Sequence, residues 1–168
     1  MKKSKIIGAV LAGITTTVGV ASIVKFKLFS KENKSQDNSK ITRLNSYYTI
    51  LSQWMTNKLE DKKSSEYLEK QNIKTVAIYG MGNLGELLYQ ELKPSDIEVK
   101  YFVDKNAEKL YYGIDELPIV SVEKLNDVDG VDAIIVTPTF AYDSIEENIK
   151  SVLADCKILS LEDIVFDM

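Results

Sequence analysis

Thr75-Val76-Ala77-Ile78-Tyr79-Gly80-Met81-Gly82-Asn83-Leu84-Gly85 decides the fold. Five residues of strand character run into G-x-G-x-x-G, and a helical pattern starts near Leu84. Each glycine has a separate reason in a dinucleotide-binding turn. Gly80 lets the chain leave the strand sharply, Gly82 lets main-chain N–H groups approach a pyrophosphate, and Gly85 lets the helix lie close to the strand. The phosphates would then sit at the positive end of a helix dipole.

The next strand-like segment, Glu98-Val99-Lys100-Tyr101-Phe102-Val103, ends at Asp104. The fingerprint expects an acidic residue about 20 positions on, where a carboxylate accepts ribose hydroxyls. Asp104 fits that spacing; the bland alternative is a solvated aspartate opening the turn Asp104-Lys105-Asn106. Lys105 leaves cofactor choice open: a carboxylate disfavours a 2′-phosphate, and a neighbouring ammonium tolerates one.

Strand and helix patterns alternate onward. A helix is expected from Leu84 to Leu92, then strands at Val99–Val103, around Pro118–Val120, at Ala133–Thr137 and at Lys157–Ser160. Short helical pieces are expected at Val122–Leu125 and Leu161–Phe166, and a longer helix from Asp143 or Ser144 to Leu153. The fold class is therefore α/β, a doubly wound parallel five-stranded sheet. Such sheets bind ligands at the strand C-terminal ends. Thr137, at one of those ends, is read as lining a base or sugar pocket or as part of an ordinary turn.

The N-terminal part differs. Residues 6–24 carry no charge and as a helix would span roughly 28 Å, about the hydrocarbon thickness. Residues 1–29 are read as a membrane anchor. The alternative is a signal peptide cleaved near Gly19-Val20-Ala21, although Lys25 and Lys27 follow at once. A slight excess of lysines after the span favours a single-pass topology with the soluble part cytoplasmic. Residues 30–41 read as a flexible linker. In 42–71, a helical collar, Leu44, Tyr47, Tyr48, Leu51, Trp54, Met55 and Leu59 form an amphipathic stripe. The stripe is expected to pack on the following domain; the alternative is a partner or dimer face. Residues 72–168 form the main domain.

Charge follows this division. Residues 1–43 hold nine basic and two acidic residues, whereas the whole chain carries a net −4. The acidic main domain argues against a nucleic-acid partner, and the basic N-terminal part suits an anionic membrane surface. There is no histidine, which removes Ser–His and Cys–His catalysis and most zinc sites. The single cysteine, Cys156, reads as a small core residue. No metal-ligand spacing occurs. Asp115/Glu116 and Glu146/Glu147 read as solvated faces. No catalytic residue is assigned, and whether the chain is an enzyme is left open.

The segments Ile78-Tyr79-Gly80-Met81-Gly82-Asn83-Leu84-Gly85, Phe102-Val103-Asp104-Lys105-Asn106 and Ile134-Ile135-Val136-Thr137 resemble the short Rossmann-like modules attached to bacterial capsule and surface-polysaccharide biosynthesis proteins. The resemblance covers about Ile73 to Phe166. It implies a site that holds NAD or NADP, or a nucleotide-sugar, through Gly80, Met81, Gly82, Asn83, Leu84 and Gly85, with Asp104, Lys105 and Thr137 beside them. It also implies an accessory role in glycan assembly at a membrane, with a homo-oligomer or a glycan-biosynthesis protein as partner. Two other functions remain open: a small reductase or epimerase completed by a partner chain, and an interaction module whose nucleotide site is vestigial.

Overall fold

The computed structural model describes residues 40–109 and 114–168. The anchor expected at 6–24 and residues 110–113 lie outside them. The chain divides into two compact units, Met1–Leu44 and Asn45–Met168. In the first, only residues 40–44 are described, and they are helical. Lys40 and Ile41 thus belong to the helix and not to the linker read as 30–41. Among the described residues no helix is long and apolar enough to cross a membrane.

Helix α1 covers residues 40–59, and α2 is Ser64–Lys70. Then follow β1 (Thr75–Tyr79), α3 (Asn83–Leu92), β2 (Glu98–Val103), β3 (Ile119–Val120), β4 (Ala133–Val136), α4 (Tyr142–Val152), β5 (Lys157–Ser160) and α5 (Leu161–Asp167). The helical piece expected at Val122–Leu125 is a 3-10 helix, Val122–Asp127. The third strand is shorter than expected, and α4 begins one or two residues earlier than the Asp143/Ser144 start.

The fold is α/β, with five strands in the order β3-β2-β1-β4-β5, all parallel. The chain moves outward from β1 through β2 to β3, then returns to place β4 on the other side of β1. That reversal leaves a crevice at the strand C-termini between β1 and β4. Register brings Tyr79, Val103 and Val136 level at that edge. The four residues of β4, Ala133-Ile134-Ile135-Val136, are all fully buried, as a central parallel strand with both faces covered requires.

Alternation of side chains along the strands builds two cores. Val76, Ile78, Phe102 and Ile135 pack on one face with Leu84, Leu88 and Leu92 of α3 and with Ile164 and Val165 of α5. Ala77, Tyr79, Tyr101, Ile134 and Val136 pack on the other with Val122, Leu125, Ile145 and Ile149.

The collar joins the first core, but not along the expected stripe. Ile50 and Trp54 are buried, and Tyr47 packs against that core. Asn57 is also buried, and its amide donates to the Val165 carbonyl at 2.6 Å. Leu44, Tyr48, Leu51, Met55 and Leu59 are exposed instead. Glu91 of α3 fastens the helices: its carboxylate accepts from Trp54 Nε1 at 2.5 Å, from the Ser64 N–H at 2.8 Å and from Lys58 Nζ at 2.7 Å. The Glu91 side chain is only 7% exposed, so these three donors replace the water it has lost.

At the opposite end of β1, Asp132 Oδ2 accepts from the N–H groups of Lys74 and Thr75, both at 2.8 Å. Those bonds favour the charged carboxylate and hold Asp132 below its ordinary pKa. The stabilisation is complete above about pH 4, the unfolded value. It is lost as pH falls through the lower folded value. Thermal melts of Asp132→Asn should therefore show a shallower decline between about pH 4 and about pH 2. An acid limb identical to that of the parent chain would show that Asp132 does not contribute to it.

Candidate functional site

The turn after β1 is shaped by close contacts on both sides. Gly80 has φ +96°, a left-handed conformation that excludes most side chains. A Cβ on it would lie 2.8 Å from Thr137 Oγ1 and 3.0 Å from the Pro138 ring. Its N–H donates to the Val103 carbonyl at 2.8 Å. A Cβ on Gly85 would lie 2.0 Å from the Gly80 carbonyl oxygen, so α3 can rest on the turn only with glycine there. Gly82 is different: a Cβ would meet nothing within 4 Å, and its backbone, φ −110° and ψ −172°, is open to any residue. No internal contact requires glycine at 82. It is the N-cap of α3, and no side chain caps that end, whereas Ser160 caps α5 by accepting from the Glu162 N–H. The amino end of α3 therefore keeps N–H groups without a side-chain acceptor beside open space.

Asp104 stands at the end of β2. One carboxylate oxygen accepts from the Met81 N–H at 3.1 Å and the other from the Asn106 N–H at 2.8 Å. The residue thus ties the glycine turn to β2 and shapes its own turn. A carboxylate has about four acceptor positions, which leaves capacity for a hydroxyl from outside.

A cleft of about 390 Å³ opens at these strand ends. Tyr79, Gly80, Asp104, Lys105 and Asn106 form one wall, and Pro138, Phe140, Ser144 and Asn148 form the other. Burial, then the Asp104 and Glu123 carboxylates, push the Tyr79 phenol above its ordinary pKa. It stays protonated at neutral pH and remains a hydrogen-bond donor. The chemistry gathered here is one carboxylate, one ammonium, two amides, two hydroxyls and an exposed aromatic ring: groups that bind and orient a polar ligand. Among the described residues no cluster of three or more metal-ligating side chains occurs.

The structure brings Gly80, Asp104 and Lys105 together at the cleft. Gly82 and Asn83 are exposed at the amino end of α3. Leu84 is buried in the core and Gly85 lies beneath the turn. Met81 is half-buried against the first core, and contributes its N–H. Thr137 is buried, not pocket-lining: its hydroxyl lies 3.0 Å from the Tyr79 carbonyl and 3.2 Å from that of Gly80, sharing one proton between them. Of its two readings, the geometry is that of a turn clamp.

Phe140, Ser144 and Asn148 complete the far wall without belonging to any motif of the sequence. Ser144 and Asn148 are one helical turn apart, on the face of the helix following the strand at the reversal, and that spacing is the signal for them. Phe140 has no such signal. It is held by tertiary contact, with its ring centroid 6.0 Å from that of Tyr47 in an edge-on arrangement. Beside it, the hydroxyls of Ser46 and Thr139 are 3.1 Å apart and hydrogen bonded. Helix α1 thus braces one rim of the cleft.

The contacts predict opposite responses from two glycines. Gly85→Ala should destabilise the chain by about 1–3 kcal/mol, as overpacking does. Gly82→Ser, which adds a favourable N-cap, should leave stability within about 0.5 kcal/mol or raise it. Denaturant melts of the two variants compare them directly. A Gly85→Ala chain as stable as its parent would contradict the close approach.

No curated protein matches the chain in sequence. Residues 72–159 match a family model described as C2185-like, N-terminal. The matched stretch begins just before β1, ends in β5, and holds the glycine turn, Asp104 and the α4 wall of the cleft. It covers more than half of the sequence, and the chain belongs to the C2185-like N-terminal family.

Proposed function

We propose that this chain is a membrane-tethered, Rossmann-like module that binds NAD, NADP or a nucleotide-sugar and serves as an accessory in surface-polysaccharide biosynthesis. The observation that carries the binding part is Gly82. Gly80 and Gly85 are needed by the fold itself, but Gly82 is not. A glycine that the protein does not need, at the uncapped amino end of a ten-residue helix, is what close approach of a phosphate asks for.

In this reading the N–H groups at Gly82, Asn83, Leu84 and Gly85 take the phosphates. Asp104, already oriented by Met81 and Asn106, accepts a ribose hydroxyl with its remaining lone pairs. Lys105 adds positive charge at the sugar, and Phe140, 46% exposed, offers a ring on which a base or sugar can stack. The Tyr79 hydroxyl and the Asn106 and Asn148 amides supply hydrogen bonds. Membrane attachment rests on the uncharged run at 6–24. The glycan-assembly role rests on the resemblance of the glycine turn and of Phe102-Val103-Asp104-Lys105-Asn106.

Calorimetric titration of the chain with NAD, NADP, UDP-glucose and coenzyme A tests the site and its ligand class together. One of them should bind at micromolar affinity. Gly82→Asp should abolish that binding while leaving the melting temperature unchanged or higher. Aspartate is a good N-cap for α3, and its carboxylate repels a phosphate. Undiminished affinity in Gly82→Asp, or no binding of any of the four by the parent chain, would overturn the proposal. In the second case an interaction module with a vestigial site would replace it.

A further inference from the structure

Helix α1 has two apolar faces, and the domain uses only one. Tyr47, Ile50, Trp54 and Asn57 face the core. Tyr48 is 74% exposed, Leu51 41%, Met55 62% and Leu59 82%, and Leu87 of α3 beside them is 49% exposed. We propose that this outer face is a two-fold interface between two copies of the chain, centred on Leu51 and Met55.

Three observations select a second copy as the occupant. The first is spacing. Tyr48, Leu51 and Met55 follow one another at three and four residues, the repeat by which one helix packs along another. Leu51, Trp54, Met55 and Leu87 also line a notch of about 160 Å³, together with Lys58 and Glu91. The notch suits an inserted side chain such as Met55 or Tyr48 from the other copy.

The second is charge. Residues 45–57 contain no charged side chain. Near a two-fold axis each residue meets its own counterpart, so any charge there opposes association. Helix α4 shows the ordinary alternative, with Asp143, Glu146, Glu147 and Lys150 along its sequence. A helix face that lies on an anionic lipid surface is instead flanked by lysine and arginine. Beside Tyr48, Leu51 and Met55 the neighbours on α1 are Asn45, Thr49, Ser52 and Thr56; Lys58 is paired with Glu91, and the other basic residues of α1, Lys40 and Arg43, lie at its first turn, away from the centre of the patch.

The third is area. At the 150–250 Å² typical of large side chains, the five exposed residues present on the order of 600 Å². Complete burial on two copies would remove at most about 1,200 Å², the lower end of specific, stable interfaces and the range of a dimer that dissociates on dilution. This interface is built mainly on α1, with Leu87 of α3 beside it, and does not depend on the ligand reading.

The test uses the full chain in non-ionic detergent, by sedimentation velocity across a micromolar concentration series. The parent chain should show a dimer that dissociates on dilution. Leu51→Glu and Met55→Glu should each weaken it at least tenfold, while Trp54 fluorescence matches that of the parent chain diluted to monomer, as a check that α1 remains docked. In a Cys156→Ser background, Met55→Cys should give a cross-linked dimer with a short bis-maleimide, and Lys150→Cys should not. A parent chain that is monomeric throughout would overturn the proposal, and so would a dimer indifferent to both glutamates. A monomer whose outer α1 face becomes protected from hydrogen exchange only on anionic vesicles would overturn it in favour of a lipid surface.

Discussion

The contact between Gly85 and the Gly80 carbonyl is the constraint on which the rest of this domain depends. It allows α3 to start directly above the turn that ends β1, because neither residue carries a Cβ at the point of closest approach. Gly80 is held from below by the Thr137 hydroxyl and from the side by the Val103 carbonyl. Three neighbouring strands, β1, β2 and β4, therefore meet at one turn. Moving α3 outward by even a methyl group would shift Leu84 and Leu88, which fill the core beneath it.

The same tightness sets the electrostatics of the edge. Asp104 neutralises two main-chain N–H groups that the turn would otherwise leave open, and its charge helps keep the Tyr79 phenol protonated. The opposite wall of the cleft comes from residues more than thirty positions later in the chain. Its rim is braced by α1, through the Ser46–Thr139 hydrogen bond and the Tyr47–Phe140 ring contact. The collar is thus part of the architecture of the cleft as well as of the core.

Glu91 explains why α1 docks in the phase it does. A nearly buried carboxylate requires donors, and Trp54 Nε1, the Ser64 N–H and Lys58 Nζ supply them together only when Trp54 turns inward. Asn57, a polar residue inside the interface, is accommodated by the Val165 carbonyl. Both are polar requirements that a hydrophobicity pattern does not register. With apolar residues on two sides of α1, periodicity alone merged two faces into one stripe, taking Tyr47 and Trp54 together with Tyr48, Leu51 and Met55.

Local sequence determined the elements and their class: β1 and β5 lie at the expected residues, because short apolar runs that stop at a glycine, as β1 does at Gly80, or at a helix-capping serine, as β5 does at Ser160, have few other solutions. The glycine spacing also determined the turn, since a left-handed residue at 80 and a contact too close for a Cβ at 85 are backbone requirements written in residue type. Tertiary structure decided what depends on distant partners. It buried Thr137 as a clamp, placed Phe140, Ser144 and Asn148 on the cleft wall, engaged Asp104 with the turn, and chose which face of α1 points inward. Those outcomes rest on hydrogen bonds and ring contacts between segments tens of residues apart, and no local pattern encodes which segments will meet.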